Sequence, residues 1–296
     1  MVAQAPQTPS GDPSSIRVAL CQVYTEPWAV DENGARTLEA LDAAADQGAQ
    51  LAITPECVFH GYAFEGVNNY AIAMRDIAET LAGPRLQSVC RKARQRRLDV
   101  IVGFAESGGG RNIHNSAALI SSAGEIVGVY RKVHCRRFEQ WGQGGVFVPG
   151  HAFHVRRLEY DGVACSVGTM ICFDREVPET VRCLRSLGAQ LIACPLATDT
   201  HDLVKPGKRM DNEQITRCRA AENEVFIAVV NHSGRFNGGS FVVGPSGEVL
   251  HQMGADAGVA VIDVPVGIVG KQFHSDPWGW MGWGYRRPEI YGHYLK

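Results

Sequence analysis

One short phrase occurs twice in this chain, and it constrains the fold more than any other feature of the sequence. Gly48-Ala-Gln-Leu-Ala-Ile-Thr-Pro-Glu56 is echoed by Gly188-Ala-Gln-Leu-Ile-Ala-Cys-Pro-Leu196, and each follows a segment with helical periodicity. A second pair, Ser122-Ala-Gly-Glu-Ile-Val127 and Pro245-Ser-Gly-Glu-Val-Leu250, puts a Gly-Glu turn before an apolar run in both halves. Two related halves, each supplying a sheet with helices outside it, predict an α/β fold: a four-layer α-β-β-α sandwich of two mixed sheets.

The rest of the chain alternates in the same way. Strands are expected at Ile16–Val23, Gly48–Thr54, Leu98–Phe104, Ala189–Ala193, Val225–Asn231, Ser240–Val243, Val249–Gln252 and Val259–Val264, and helices over Asp31–Gln47, Pro84–Arg97 and from Pro178. Hairpins turn at Ser122–Glu125 and Asp161-Gly162. Residues 1–15, rich in Pro, Ser and Gln, read as a flexible tail, and 16–296 as a single domain. From about residue 275 an aromatic segment (Trp278, Trp280, Trp283, Tyr285) follows the last strand and needs a surface to cover, on its own domain or across a homo-oligomer interface.

Bulk properties narrow the function. Apolar residues make up 45% of the chain and charged residues 20%, with net charge -2 and the two signs interspersed, so neither nucleic acid nor a membrane is expected as a partner. Nine cysteines without regular spacing, behind an N-terminus that lacks an apolar run, point to a reducing cytoplasm. Small-molecule chemistry is the expectation.

Three apolar strands end in a reactive side chain: Glu56 after Leu51-Ala-Ile-Thr-Pro, Lys132 after Ile126-Val-Gly-Val-Tyr-Arg, and Cys172 after Val163–Ile171. Strand ends that open into loops are where scaffolds hold catalytic groups. A cysteine between a strand and a helix is placed like a nucleophile elbow, and nearby helix amides would favour its thiolate. A carboxylate can take the thiol proton and return it to a leaving amine, while an ammonium stabilises the tetrahedral oxyanion. Each residue alone also has a plain structural explanation: a buried thiol, a loop carboxylate, an edge-strand charge.

Joint occurrence raises them above that. Pro55-Glu-Cys-Val-Phe-His-Gly-Tyr62, Tyr130-Arg-Lys-Val-His134 and Ile171-Cys-Phe-Asp-Arg-Glu-Val-Pro-Glu179 resemble the three signature segments of the nitrilase superfamily, the carbon–nitrogen hydrolases. His114-Asn-Ser and Arg219-Ala-Ala-Glu-Asn223 match as well, in the family's order from about Ile16 to Tyr291. The resemblance implies Glu56 as base, Lys132 as oxyanion partner, Cys172 as nucleophile, no metal or other cofactor, and a homodimer or higher oligomer. It also implies a second glutamate before Pro149-Gly150, for which Glu139 and the position of Gln143 compete.

Phe173-Asp174 after the cysteine resembles the amidase and carbamoylase branches, where true nitrilases have Trp-Glu. The expected reaction is cleavage of a small amide through a thioester; the alternative is hydrolysis of an N-carbamoyl compound. Arg175 stands where carbamoyl-amino-acid hydrolases hold a substrate carboxylate, although it could equally pair with Glu176 or Glu179 and brace the turn. Phe59, Tyr62 and Phe64 are expected to wall the pocket. Readings from other classes are a metalloenzyme built on His151 and His154, a papain-like pair using His134 or His60, a redox sensor, and a silent binding module. Under the nucleophile reading, iodoacetamide is expected to label Cys172 first among the nine thiols.

Overall fold

A computed structural model of the chain describes residues 14–110, 112–198, 212–270 and 282–293. The first half supplies β1 (Ile16–Gln22), β2 (Leu51–Ile53), β3 (Asp99–Ser107), β4 (Ile113–Ile120) and β5 (Ile126–Arg131). The second supplies β6 (Val155–Tyr160), β7 (Val163–Thr169), β8 (Leu191–Pro195), β9 (Phe226–Val230), β10 (Phe241–Val243) and β11 (Val249–Gln252). The last strand, β12 (Gly258–Val264), returns to the first half and pairs with β1.

The two six-stranded sheets run β12-β1-β2-β3-β4-β5 and β6-β7-β8-β9-β10-β11. In this direction they match strand for strand. An antiparallel edge pair is followed by three parallel strands, β1-β2-β3 or β7-β8-β9, and then by two antiparallel ones. Even the register shift in the last pair recurs, between Leu119 and Ile120 and between Val242 and Val243. The repeated Gly-Ala-Gln-Leu phrases open β2 and β8, which hold the same place in the two sheets.

Parallel strands need crossover helices. These are α1 (Val30–Asp46), α2 (Tyr70–Ile77) and α3 (Pro84–Arg96) in the first half, and α4 (Pro178–Ser186) and α5 (Asn212–Asn223) in the second. Pro84 and Pro178 open their helices, where a missing N–H costs nothing. Strand alternation separates the layers. Val18 and Leu20 pack into the cluster shared with the second sheet, whereas Ala19 and Cys21 face outward onto Leu41, Ala44, Leu86 and Val89 of α1 and α3. Each fully buried Leu, Ile or Val here contributes roughly 1.5–3 kcal/mol. The result is the α-β-β-α sandwich that the repeat predicts.

Three of the described helices were not anticipated from sequence: α2, α5 and a short one near the C-terminus. In the described C-terminal part, a short 3-10 turn (Gly282–Tyr285) leads into α6 (Pro288–Tyr291). Trp283 lies on its own domain, with Arg185 of α4 and Arg286 set over its ring at 5.1 and 4.2 Å. Tyr285, Ile290 and Tyr291 are exposed. Trp278, Trp280 and residues 1–13 lie outside the described residues. Among the described residues no helix is long and apolar enough to cross a membrane.

Candidate active site

Lys132 follows β5 directly, Glu56 and Cys172 lie three residues past the ends of β2 and β7, and the facing of the two sheets brings these strand ends together. Glu56 N–H donates to Leu196 O, so the ends of the repeated strands β2 and β8 meet across the sheet interface. Close approach is possible because Gly103 of β3 lies under this bend: a Cβ there would come within 2.4 Å of Pro55 O.

Lys132 is the hub. Its Nζ donates to Glu56 Oε1 at 2.7 Å and to Glu139 Oε1 and Oε2 at 2.8 and 3.0 Å, and all three side chains are fully buried. Burial opposes the charge on Lys132, but the two carboxylates outweigh it and hold the ammonium well above the ordinary lysine range. Burial likewise opposes ionisation of Glu139, yet Lys132 and hydrogen bonds from Arg136 N–H (2.7 Å) and Tyr62 OH (2.7 Å) keep its carboxyl below the usual range. Glu56 goes the other way. Burial, helped by the charge of Glu139 and only partly offset by Lys132, pushes its pKa up to about 7. Two carboxylates on one ammonium are thus driven in opposite directions, Glu139 below the usual carboxylate range and Glu56 up to near neutrality.

Of the two candidates for the second acidic position, Glu139 lies inside, on Lys132, and Gln143 is exposed. The loop between them closes on itself, with Phe147 N–H donating to Glu139 O and Gly145 N–H to Gln140 O. A side chain at Gly145 would overlap the Glu139 backbone, and Gly142 and Gly144 take positive φ, which accounts for the glycines that follow Glu139.

Cys172 opens a short 3-10 turn (Cys172–Glu176) ahead of α4, with φ of +47°, a conformation unfavourable for a residue with a Cβ and frequent at strained functional turns. Its Sγ lies 3.6 Å from Thr198 Oγ1 and 3.9 Å from Ala197 O, at the end of β8. Sequence reasoning expects nearby helix amides to favour the Cys172 thiolate; the burial and charges around the thiol act in the other direction. Burial and then the charge of Glu56 push the thiol up to about 12 against the opposing pull of Lys132, so Cys172 rests protonated.

Asp174 locks the Cys172 turn to the strand end that carries Lys132. Its Oδ2 accepts from Tyr130 OH at 2.7 Å and Ile171 N–H at 3.0 Å, and its Oδ1 from His134 N–H at 2.8 Å, with His134 Nδ1 at 2.9 Å. His134 is therefore bound to Asp174. His60 is buried, and burial, His232 and Arg235 push its pKa down to about 3, so neither histidine is arranged as a base for Cys172. The exposed His151 and His154 lie in the loop before β6, and no metal-holding group of His, Cys, Asp and Glu occurs among the described residues.

Other expected pocket residues divide. Tyr62 is at the site, but its hydroxyl serves Glu139 and its ring lies 5.8 Å from Lys132 Nζ, with Phe64 edge-on at 4.7 Å. Phe59 is a correction: its ring packs with Leu41, Leu86, Val89 and Phe104 in the outer layer beneath α1 and α3, away from the cluster that holds Cys172. Arg175 is buried and pairs with neither Glu176 nor Glu179; its Nη2 donates to Asn212 Oδ1 at 2.6 Å, while its Nε and Nη1 have no partner among the described residues. Besides Asp174, sequence reasoning missed Asn115, whose Nδ2 donates to Glu56 Oε1 at 2.7 Å, and His232, whose Nε2 lies 2.7 Å from Glu56 O. The matched phrase His114-Asn-Ser was the only signal for Asn115.

Comparisons with known proteins agree with this geometry. The carbon–nitrogen hydrolase family model matches residues 17–271. An (R)-stereoselective amidase from Pseudomonas sp. is 33% identical over 81% of this chain and 82% of its own, and a nitrilase from Pyrococcus abyssi 31% identical over 84% and 90%. Among solved structures, a variant of the amidase from Nesterenkonia sp. AN1, with the acetamide moiety of fluoroacetamide added covalently at its active-site cysteine, superposes with a TM-score of 0.78. It is 27% identical and covers 98% of this chain and 100% of that one. The same amidase is described as a member of the nitrilase superfamily. With most of its length matched by the family model and its strand ends converging on a Glu-Lys-Cys cluster, this chain belongs to the carbon–nitrogen hydrolase family.

Proposed function

We propose that the protein hydrolyses the C–N bond of small amides through a thioester on Cys172. The observation that carries this reading is the single ammonium of Lys132 shared by one carboxylate held ionised and another balanced near neutrality. As Sγ attacks the amide carbon, its proton passes to Glu56 and the S–C bond forms. The carbonyl oxygen becomes an oxyanion beside Lys132. The C–N bond then breaks as Glu56 gives its proton to the departing nitrogen, releasing ammonia or an amine. Water attacks the thioester, Glu56 takes and returns its proton, and the carboxylic acid leaves with the thiol restored. Glu139 keeps Lys132 charged and in place throughout. Support comes from the amidase relatives and from the covalent adduct on the cysteine of the Nesterenkonia enzyme.

A second reading, hydrolysis of N-carbamoyl compounds, draws on Arg175, whose buried Nε and Nη1 offer two donors to a substrate carboxylate. Steady-state ammonia release from a panel of aliphatic amides and N-carbamoyl amino acids tests both. Turnover of amides with none of ureido acids supports the first reading; turnover of ureido acids alone, lost in Arg175→Ala, replaces it with the second. Self-association is proposed from the exposed Tyr285, Ile290 and Tyr291, and a cytoplasmic setting from nine free thiols. Light scattering on the purified chain tests the former; a monomer mass would refute it.

A further inference from the structure

Glu56 is held asymmetrically. Lys132 Nζ and Asn115 Nδ2 both donate to its Oε1 at 2.7 Å, whereas its buried Oε2 meets no partner among the described residues. The Asn115 amide has one workable orientation. Its Nδ2 faces two carboxylates, Glu56 Oε1 and, at 3.5 Å, Glu139 Oε1, while its Oδ1 receives the Cys57 thiol at 3.4 Å. Reversed, a carbonyl oxygen would stand against two acceptors.

We propose that Asn115 is a positioning residue for the hydrolysis: together with Lys132 it saturates Oε1, so that the travelling proton is carried on Oε2 of Glu56. This inference rests on Glu56 being the general base. An oxygen that already accepts from an ammonium and an amide at short distance has no lone pair left in a favourable direction for a proton. Oε2 is buried and bare of hydrogen bonds among the described residues, which leaves it as the oxygen that takes the proton from the Cys172 thiol and, later, from the hydrolytic water. Asn115 also favours the ionised carboxylate, since its N–H binds the anion better than the acid. The other ionisable groups facing Glu56 do not substitute for it. Lys132 already occupies Oε1, Glu139 repels, Cys57 and Cys172 are neutral thiols, and His232 is neutral and engaged with the Glu56 backbone carbonyl.

The test uses the shape-conserving variants Asn115→Leu and Asn115→Asp, with kcat/KM followed against pH and the active fraction counted by titration of Cys172. Loss of the donor moves the acid limb upward by about one pH unit in Asn115→Leu. The added negative charge moves it further in Asn115→Asp. A limb that stays at the wild-type pH, with only the active fraction or Tm reduced, would reduce Asn115 to a space-filling role and overturn the proposal. A second measurement leaves residue 115 untouched: infrared difference spectra of Cys172→Ala against Cys172→Ala/Glu56→Gln, titrated through neutrality. The protonated carboxyl should show a carbonyl stretch at the low frequency of a doubly hydrogen-bonded oxygen; a stretch typical of a free carbonyl would place the proton on Oε1 and refute the assignment. Retained turnover in Glu56→Gln would instead sink the base role itself, a failure distinct from an unmoved acid limb in an otherwise base-dependent enzyme.

Discussion

Replacing Glu56 by Gln should make the protein far less active and more stable at once, with the gain absent below about pH 4.5 and complete above about pH 7. Gln is a permanent mimic of the protonated acid: its carbonyl oxygen still accepts from Lys132 and Asn115, and Lys132 keeps Glu139 as counter-ion. In the folded chain Glu56 holds its proton up to about pH 7, against an ordinary value of 4.5. Its contribution to stability is therefore complete below about 4.5, falls as the pH rises from there through about 7, and is flat above. The span between the two values, at roughly 1.36 kcal/mol per pH unit, amounts to on the order of 3 kcal/mol. Urea unfolding at pH 8 should find Glu56→Gln more stable than the wild type by about that amount, and equal to it near pH 4. The same variant should lose about 10²–10⁴-fold in kcat/KM, the usual worth of a positioned base, and wild-type kcat/KM should fall as the pH drops through about 7. Equal stability of the two chains at pH 8, or a less stable variant, would refute the reasoning that burial holds this carboxylate near neutrality.

Three further outcomes follow from the same geometry. Asp174→Ala leaves Tyr130 OH and the Ile171 and His134 N–H groups without their acceptor, so thermal or chemical unfolding should show a loss of about 3 kcal/mol or more, accompanied by lower kcat. Glu139→Gln removes one of the two anions on Lys132; kcat should fall about 10²-fold, and, because Glu139 raises the pKa of Glu56, the acid limb of the pH profile should move down. Iodoacetamide, followed by peptide mapping, should label the exposed Cys218 of α5 rapidly without loss of activity, while slower labelling of the buried Cys172 tracks inactivation. This reverses the order expected from sequence, since Cys218 is exposed whereas Cys172 is buried, with its thiol pushed up to about 12.

The strands and hairpins were legible because their signals are local. Period-2 apolar runs and turn residues such as Asp161-Gly162 mark elements regardless of what packs on them. Helix α5 lacks such a signal: its buried positions include Thr216, Ala220 and Asn223, with Ile215 the one large apolar side chain among them. Helix α2 is short, and its N-cap Asn69, which accepts from Ile72 N–H, is hidden in a Gly-Asn-rich stretch that reads as loop. In the site, Glu56, Lys132 and Cys172 were recognisable because each sits at a strand end inside a specific phrase. Phe59 was misplaced because a short 3-10 turn (Val58–His60) has no period from which to read a side chain's direction. Asn115 and Asp174 escaped notice as working parts because their importance lies in partners 59 and 40 positions away. The protonation of Cys172 depends on burial depth and on a neighbouring carboxylate, neither of which a linear sequence displays.

The most direct test is rapid-quench mass spectrometry of the intact protein turning over a small amide, followed by mapping of the adduct. The account predicts a transient mass increase equal to the acyl group, on the Cys172 peptide, lost at the rate of acid release and absent in Cys172→Ala. Turnover that persists in Cys172→Ala, or an acyl group that forms on another residue at the catalytic rate, would contradict it.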